Sequence, residues 1–166
     1  MRVLSFDPGA ARMGFALLET GPEYITSGIV SLKKEDETYQ QYRIRLITFW
    51  AKKASSMIRA MKPDVVVSEI VPVKGFSDPS QAYLAGSAIS AVQTIVALRK
   101  IPNVVVSAAS VKVSIAQHKA TKVQIRNAVI EAIPELESRR KDWTKVFDEC
   151  DAIAIGLHHL KGENEN

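Results

Sequence analysis

The chain predicts an α/β protein: a mixed five-stranded sheet, built from an antiparallel meander extended by parallel strands and flanked by helices. Three observations carry this. Short apolar runs separated by turn residues fill the first 31 positions. Apolar residues then recur every three or four positions over 39–61, the period of an amphipathic helix. From there short β-branched runs alternate with helical stretches, the pattern of parallel strands joined by crossovers.

Residues 2–6 form the first strand, with Val3, Leu4 and Phe6, and Pro8-Gly9 marks the turn after it. Strands over about 13–19 and 23–31 complete the meander, divided by Gly21-Pro22. In the helix over 39–61, Ile44, Ile47, Ala51, Ala54, Ile58 and Met61 form one stripe, and Pro63 follows its end. "DVVVSEIV", 64–71, reads as a buried strand whose alternation puts Val65, Val67 and Glu69 on one face. A loop over 72–80 leads to a helix over 81–99 that is apolar on several sides. Its Ala82, Ala85, Gly86, Ile89, Val92 and Val96 suit either a central core helix or a subunit interface. A strand over 103–107 follows. Thr121-Lys122-Val123-Gln124 fits a capping box for a helix to about Ile133, halted by Pro134. The last helix is expected from about Val146 to Leu160. Residues 1–161 are expected to form one domain, with 162–166 as a polar tail.

At 166 residues the chain is long enough for a substantial core, and 46% of its residues are hydrophobic. No apolar run is expected to reach the roughly 20 residues that span a bilayer, and no signal-peptide pattern stands at the start. A single cysteine, Cys150, excludes an internal disulfide and fits a reducing setting. The net charge of +4 permits a nucleic-acid partner without requiring one.

The chemistry is carried by acids at the ends of apolar elements. Asp7 ends the first strand, at the mouth of a hairpin, and Glu69 lies near the end of the fourth. In "FDECDAIAIGLHH", Asp148 and Asp151 are three apart and share one helix face. The helix macrodipole favours one or two acids in a first turn, but it does not explain an Asp151 set against "AIAIGL". A carboxylate beside a buried strand requires a hydrogen bond or a cation. Four together would form the hard oxygen set that magnesium or manganese requires. Two such ions support phosphodiester hydrolysis.

Strand-"DPG"-strand, then strand-"SEIV", then "DECDAIAIGL" resembles the RuvC-type Holliday junction resolvases of the RNase H-like superfamily, over nearly the whole chain. Asp7, Glu69, Asp148 and Asp151 match that family's four acidic positions in order. The resemblance implies a metal-dependent endonuclease, using two Mg2+ or Mn2+ ions per site. It also implies a homodimer, joined through the helix at 81–99, that acts on four-way DNA junctions in the cytoplasm of a bacterial cell or is encoded by a phage. Lys112 and Lys122 match family lysines that face the DNA backbone; Lys119 and His118 are their neighbours. The family's aromatic after the glutamate falls on Pro72 here. The nearest aromatic is Phe76, which with Lys74 stands in the loop expected to meet DNA. His158-His159 are expected to sit near a helix C-terminus, Cys150 to point into the core, and Trp50 and Trp143 to pack. Other readings are a related nuclease for other branched DNA or RNA, a junction-binding protein without cleavage, and an ATPase with an aspartate-led phosphate loop. The last uses two such domains, and one chain of this length supplies one.

Overall fold

The computed structural model describes residues 1–21, 23–70, 78–144 and 147–164. Five strands, β1 (Arg2–Asp7), β2 (Arg12–Glu19), β3 (Glu23–Ser31), β4 (Val65–Glu69) and β5 (Asn103–Val106), form one sheet in the order β3-β2-β1-β4-β5. β1 pairs antiparallel with β2, β2 antiparallel with β3, and the β1–β4 and β4–β5 pairs are parallel. The helices are α1 (Tyr39–Met61), α2 (Pro79–Leu98), α3 (Ala108–Ile115), α4 (Lys122–Ala132) and α5 (Asp148–Asn164). Two short 3-10 turns, Pro134–Arg139 and Asp142–Thr144, join α4 towards α5.

Side-chain alternation in the sheet sorts the core into two layers. Leu4, Phe6 and Val66 face α1 and α2. Val3, Val65 and Val67 face the layer of α3, α4 and α5. Ser5 lies on that second face, where its hydroxyl donates to the Ala152 carbonyl of α5 at 2.6 Å. The same parity carries Asp7 and Glu69 onto the α5 side. The parallel register runs Val3↔Val65 to Phe6↔Ser68, so its next step sets Asp7 beside Glu69.

α5 lies on β1 and β2 closer than a side chain would allow at two points. A Cβ on Gly14 would overlap the backbone carbonyl of Asp148. A Cβ on Gly156 would come within 2.7 Å of Leu18 Cδ1 and 3.0 Å of Ser5 Oγ. These contacts fix where the first turn of α5 stands relative to the end of β1.

Several expectations are corrected. The buried stripe of α1 is Tyr42, Leu46, Trp50, Ala54 and Ile58, and Ile44 points outward. α2 is by length and composition apolar enough to cross a membrane. Leu84, Ala85, Ala88, Ile89, Val92 and Val96 are instead buried in this chain's own core. Ala85, Ile89, Val92 and Val96 are therefore not an outward interface. The outward side of α2 carries Tyr83, Gly86, Ser87, Ser90 and Thr94. α3 was not expected; Ser107 caps it, its hydroxyl accepting from the Ser110 N–H at 3.0 Å. α5 begins at Asp148 and stays helical to Asn164, so most of the expected tail is the end of a helix.

Candidate active site

Two strands and one helix position the acids. β1 and β4 end side by side with Asp7 and Glu69 on the α5 face, and α5 brings Asp148 and Asp151 on its first turn. The four share one electrostatic field. Burial pushes the Asp7 carboxyl up to about 8, and the charges of Asp151 and Glu69 push the same way. Glu69 is also raised, by burial first and by Asp151 second, against the opposing pull of Lys122 and Lys112. Asp151 is raised by burial, although Lys122 pulls it down.

Two cations already sit on this set. Lys122, the first residue of α4, donates from Nζ to Asp151 Oδ2. Burial pulls its ammonium down, but Asp151, and behind it Asp7 and Glu69, outweigh that and hold its pKa above the ordinary lysine value. The capping box of Thr121 with Gln124 fixes this end of α4: the Gln124 N–H donates to Thr121 Oγ1 at 3.3 Å, and the Thr121 N–H to Gln124 Oε1 at 2.8 Å. Arg12, on β2, reaches Asp148 Oδ2 from Nη2 at 3.3 Å.

Among the described residues, no three acidic, histidine or cysteine side chains are posed to hold one ion. The donor set fits a hard divalent cation nonetheless. It consists of carboxylate oxygens, burial and mutual repulsion raise the pKa values of three of them, Asp7, Glu69 and Asp151, and a lysine ammonium is drawn onto Asp151 in compensation. Asp151 and Asp148 would be free as donors only with Lys122 and Arg12 moved aside.

Of the expected DNA-facing residues, Lys112 is half-buried on α3 and lowers both Glu69 and Asp151 through its charge. Lys119 and His118 are exposed in the turn between α3 and α4, Lys119 with a left-handed backbone, φ 58°. Lys74, Phe76 and Pro72 lie outside the described residues. Cys150 is fully buried and burial pushes its thiol pKa up. Trp50 and Trp143 are buried. Burial, aided by His159 and Lys161, lowers His158.

Sequence reasoning passed over two residues. Arg12 gave no signal beyond an isolated charge after a turn. Glu149 was visible as the second acid of "DECD"; it is 3% exposed and carries four hydrogen bonds, from Ser27, Trp143 and Arg139.

A mixed five-stranded sheet of this order, with acids at the ends of its first and fourth strands and on the last helix, defines an RNase H-like domain. The family model of the crossover junction endodeoxyribonuclease RuvC matches residues 3–159, and the chain belongs to that family. Its relatives include the crossover junction endodeoxyribonuclease RuvC of Hydrogenovibrio crunogenus, 29% identical over 95% of this chain and 86% of that protein. Among solved structures, Thermus thermophilus RuvC in complex with a Holliday junction substrate superposes with a TM-score of 0.77 at 18% identity, covering 100% of this chain and 96% of that one. The yeast mitochondrial Holliday junction resolvase superposes with a TM-score of 0.72 at 15% identity, over 99% of this chain and 79% of that one.

Proposed function

We propose that this chain is a metal-dependent endonuclease of the cytoplasm that resolves four-way DNA junctions by paired phosphodiester hydrolysis, as a homodimer. The observation that carries the reading is the placement of Asp7 and Glu69, on adjacent parallel strands, against Asp148 and Asp151 on the first turn of α5, in a chain of the RuvC family. Asp7, Glu69, Asp148 and Asp151 would hold the cations. When bound, a pair of magnesium or manganese ions supplies Lewis-acid chemistry to phosphodiester hydrolysis.

The chain's own residues do the rest. Asp7, whose carboxyl is raised, would have to be ionised to hold a cation, because only the carboxylate is a donor. Lys122 leaves Asp151 for a phosphate oxygen, so one ammonium serves two anions in turn. Lys112 adds positive charge on the same side, and Lys119 extends it along the α3–α4 turn. Lys74 and Phe76, which follow Glu69 in the sequence, are further candidates for contact with the DNA.

Two opposed nicks are needed to leave two ligatable duplexes, and a two-fold dimer supplies two equivalent sites. α2 supports such a dimer through its outward side. A groove of about 780 Å³ runs between α1 and α2, lined by Arg43, Ile47, Ala82, Tyr83, Gly86 and Ser90.

The deciding experiment is cleavage of a synthetic four-way junction against linear duplex, with and without Mg2+ or Mn2+. Paired symmetric nicks in the junction alone, dependent on the cation, are expected. Equal cutting of linear duplex would make the protein a broader nuclease, and tight junction binding without nicks would make it a non-cleaving binder.

A further inference from the structure

Glu149 stands between Asp148 and Asp151 in the chain and takes no place among the four acids. We infer that it is a positioning residue, whose carboxylate ties the first turn of α5 to three other segments and so fixes where Asp148 and Asp151 point. This rests on the reading of those two aspartates as cation ligands.

Four contacts are made by one buried side chain. Ser27 of β3 donates from Oγ to Oε1 at 2.6 Å, and Ser27 Oγ is itself 3.0 Å from the Tyr24 hydroxyl. Arg139, at the end of the first 3-10 turn, donates from Nη2 to Oε1 at 3.0 Å and to Oε2 at 2.8 Å. Trp143, in the second turn, donates from Nε1 to Oε2 at 2.9 Å and is 1% exposed. Arg139 is held in turn by Asp142, Nε to Oδ2 at 3.3 Å. A buried carboxylate left without partners would be strongly unfavourable. This one has a guanidinium to neutralise it and three kinds of donor to orient it, so it adds no uncompensated charge to the site.

Helical geometry gives the arrangement its consequence. Successive residues are about 100° apart around an α-helix, so Glu149 points away from the face shared by Asp148 and Asp151. At the same turn, the bare Cα of Gly14 lets β2 press against the Asp148 carbonyl. The first turn of α5 is thus held by two independent contacts, a close backbone approach and a polar clamp. A rotation of this turn would carry both aspartates with it. Groups that orient ligands in this way typically change metal affinity or activity by about 10–100-fold when removed.

Glu149→Ala, Arg139→Ala and Asp148→Asn would be compared with wild type as full-length protein, at a temperature where each is folded by circular dichroism. Mn2+ binding would be read by electron paramagnetic resonance without DNA, alongside junction affinity and single-turnover cleavage. Expected for Glu149→Ala and Arg139→Ala are Mn2+ binding weakened and cleavage slowed, each by roughly tenfold, with junction affinity held within about twofold because it rests on phosphate contacts. Arg139→Ala carries the sharper test. Loss of a nearby positive charge would by itself tighten Mn2+, so weakening has the sign that positioning predicts and simple electrostatics does not. Folded variants with lowered thermal stability but wild-type Mn2+ binding and cleavage would overturn the inference, as would tighter Mn2+ in Arg139→Ala. Where Glu149→Ala does not fold, Arg139→Ala and Glu149→Gln decide. Asp148→Asn separates the premise: wild-type Mn2+ binding there removes Asp148 as a ligand and the inference with it. Weakened binding there, with no change in the other two, removes Glu149 alone.

Discussion

At the scale of single residues, the balance between repulsion and compensation governs what Asp7 does. Its carboxyl is raised to about 8, so in the absence of cations it is largely protonated at neutral pH. An acid whose pKa is higher folded than unfolded favours the folded state fully below its unfolded value, near 4. That contribution fades as pH rises through about 8. The cation-free protein should therefore lose stability from about pH 4 to pH 8, measurable by urea unfolding across that range. Asp7→Asn should flatten this dependence and be more stable at pH 8 by about 1–3 kcal/mol, while abolishing cleavage and keeping junction binding. A variant that still cuts at near wild-type rate would remove Asp7 from the chemistry. The opposite charges are tested by salt. Lys112→Ala and Lys122→Ala should each weaken junction binding and flatten its log–log salt dependence by roughly one. An unchanged titration would remove both from the phosphate contacts.

At the scale of elements, α5 shows what the sequence could and could not disclose. Its acids were legible because Asp148 and Asp151 interrupt an apolar pattern that otherwise has no use for charge. Its clamp was not, since Ser27, Arg139 and Trp143 meet Glu149 across 122, 10 and 6 residues of chain, and no local period encodes such a meeting. α3 escaped notice for a different reason. Val111 and Val113 alternate with polar residues in "SVKVSI", a strand-like pattern that Ser107 overrides by capping a helix. The meander, the parallel strands and the capping box at Thr121 were readable from turn residues and β-branched runs alone. α2 was readable as a helix but not as an oriented one, because a helix apolar on several sides carries little information on which side faces inward. The seat of α5 is itself testable. Gly14→Ala forces backbone against backbone at Asp148, and should cost roughly 1–3 kcal/mol in urea unfolding. It should also slow cleavage more than junction binding, whereas unimpaired stability and rate would show that the turn can shift freely.

At the scale of the whole molecule, the proposed dimer rests on the outward side of α2. Gly86 is the most direct probe, since a Cβ there meets nothing within 4 Å in the single chain. Gly86→Arg should leave the fold of one chain intact, yet place a charge where a partner backbone would lie. Sedimentation at micromolar concentration should then shift from dimer to monomer, and junction cleavage from paired incisions to single nicks. A wild-type protein that sediments as a monomer with and without junction DNA would defeat the dimer.

The division of the core by the sheet has an evolutionary reading. The acids and the Glu149 clamp belong to the layer of α3, α4 and α5, whereas the α1–α2 groove belongs to the other layer, with β1 and β4 between. Substitutions that share no partner and lie well apart usually combine to within about 0.5 kcal/mol. Changes such as Gly86→Arg and Glu149→Ala are therefore expected to be independent in their effects on the folding of a chain. Lineages can then drift in how two copies meet without retuning the acids, and can retune the acids without renegotiating the partner. The sheet insulates one set of inherited constraints from the other.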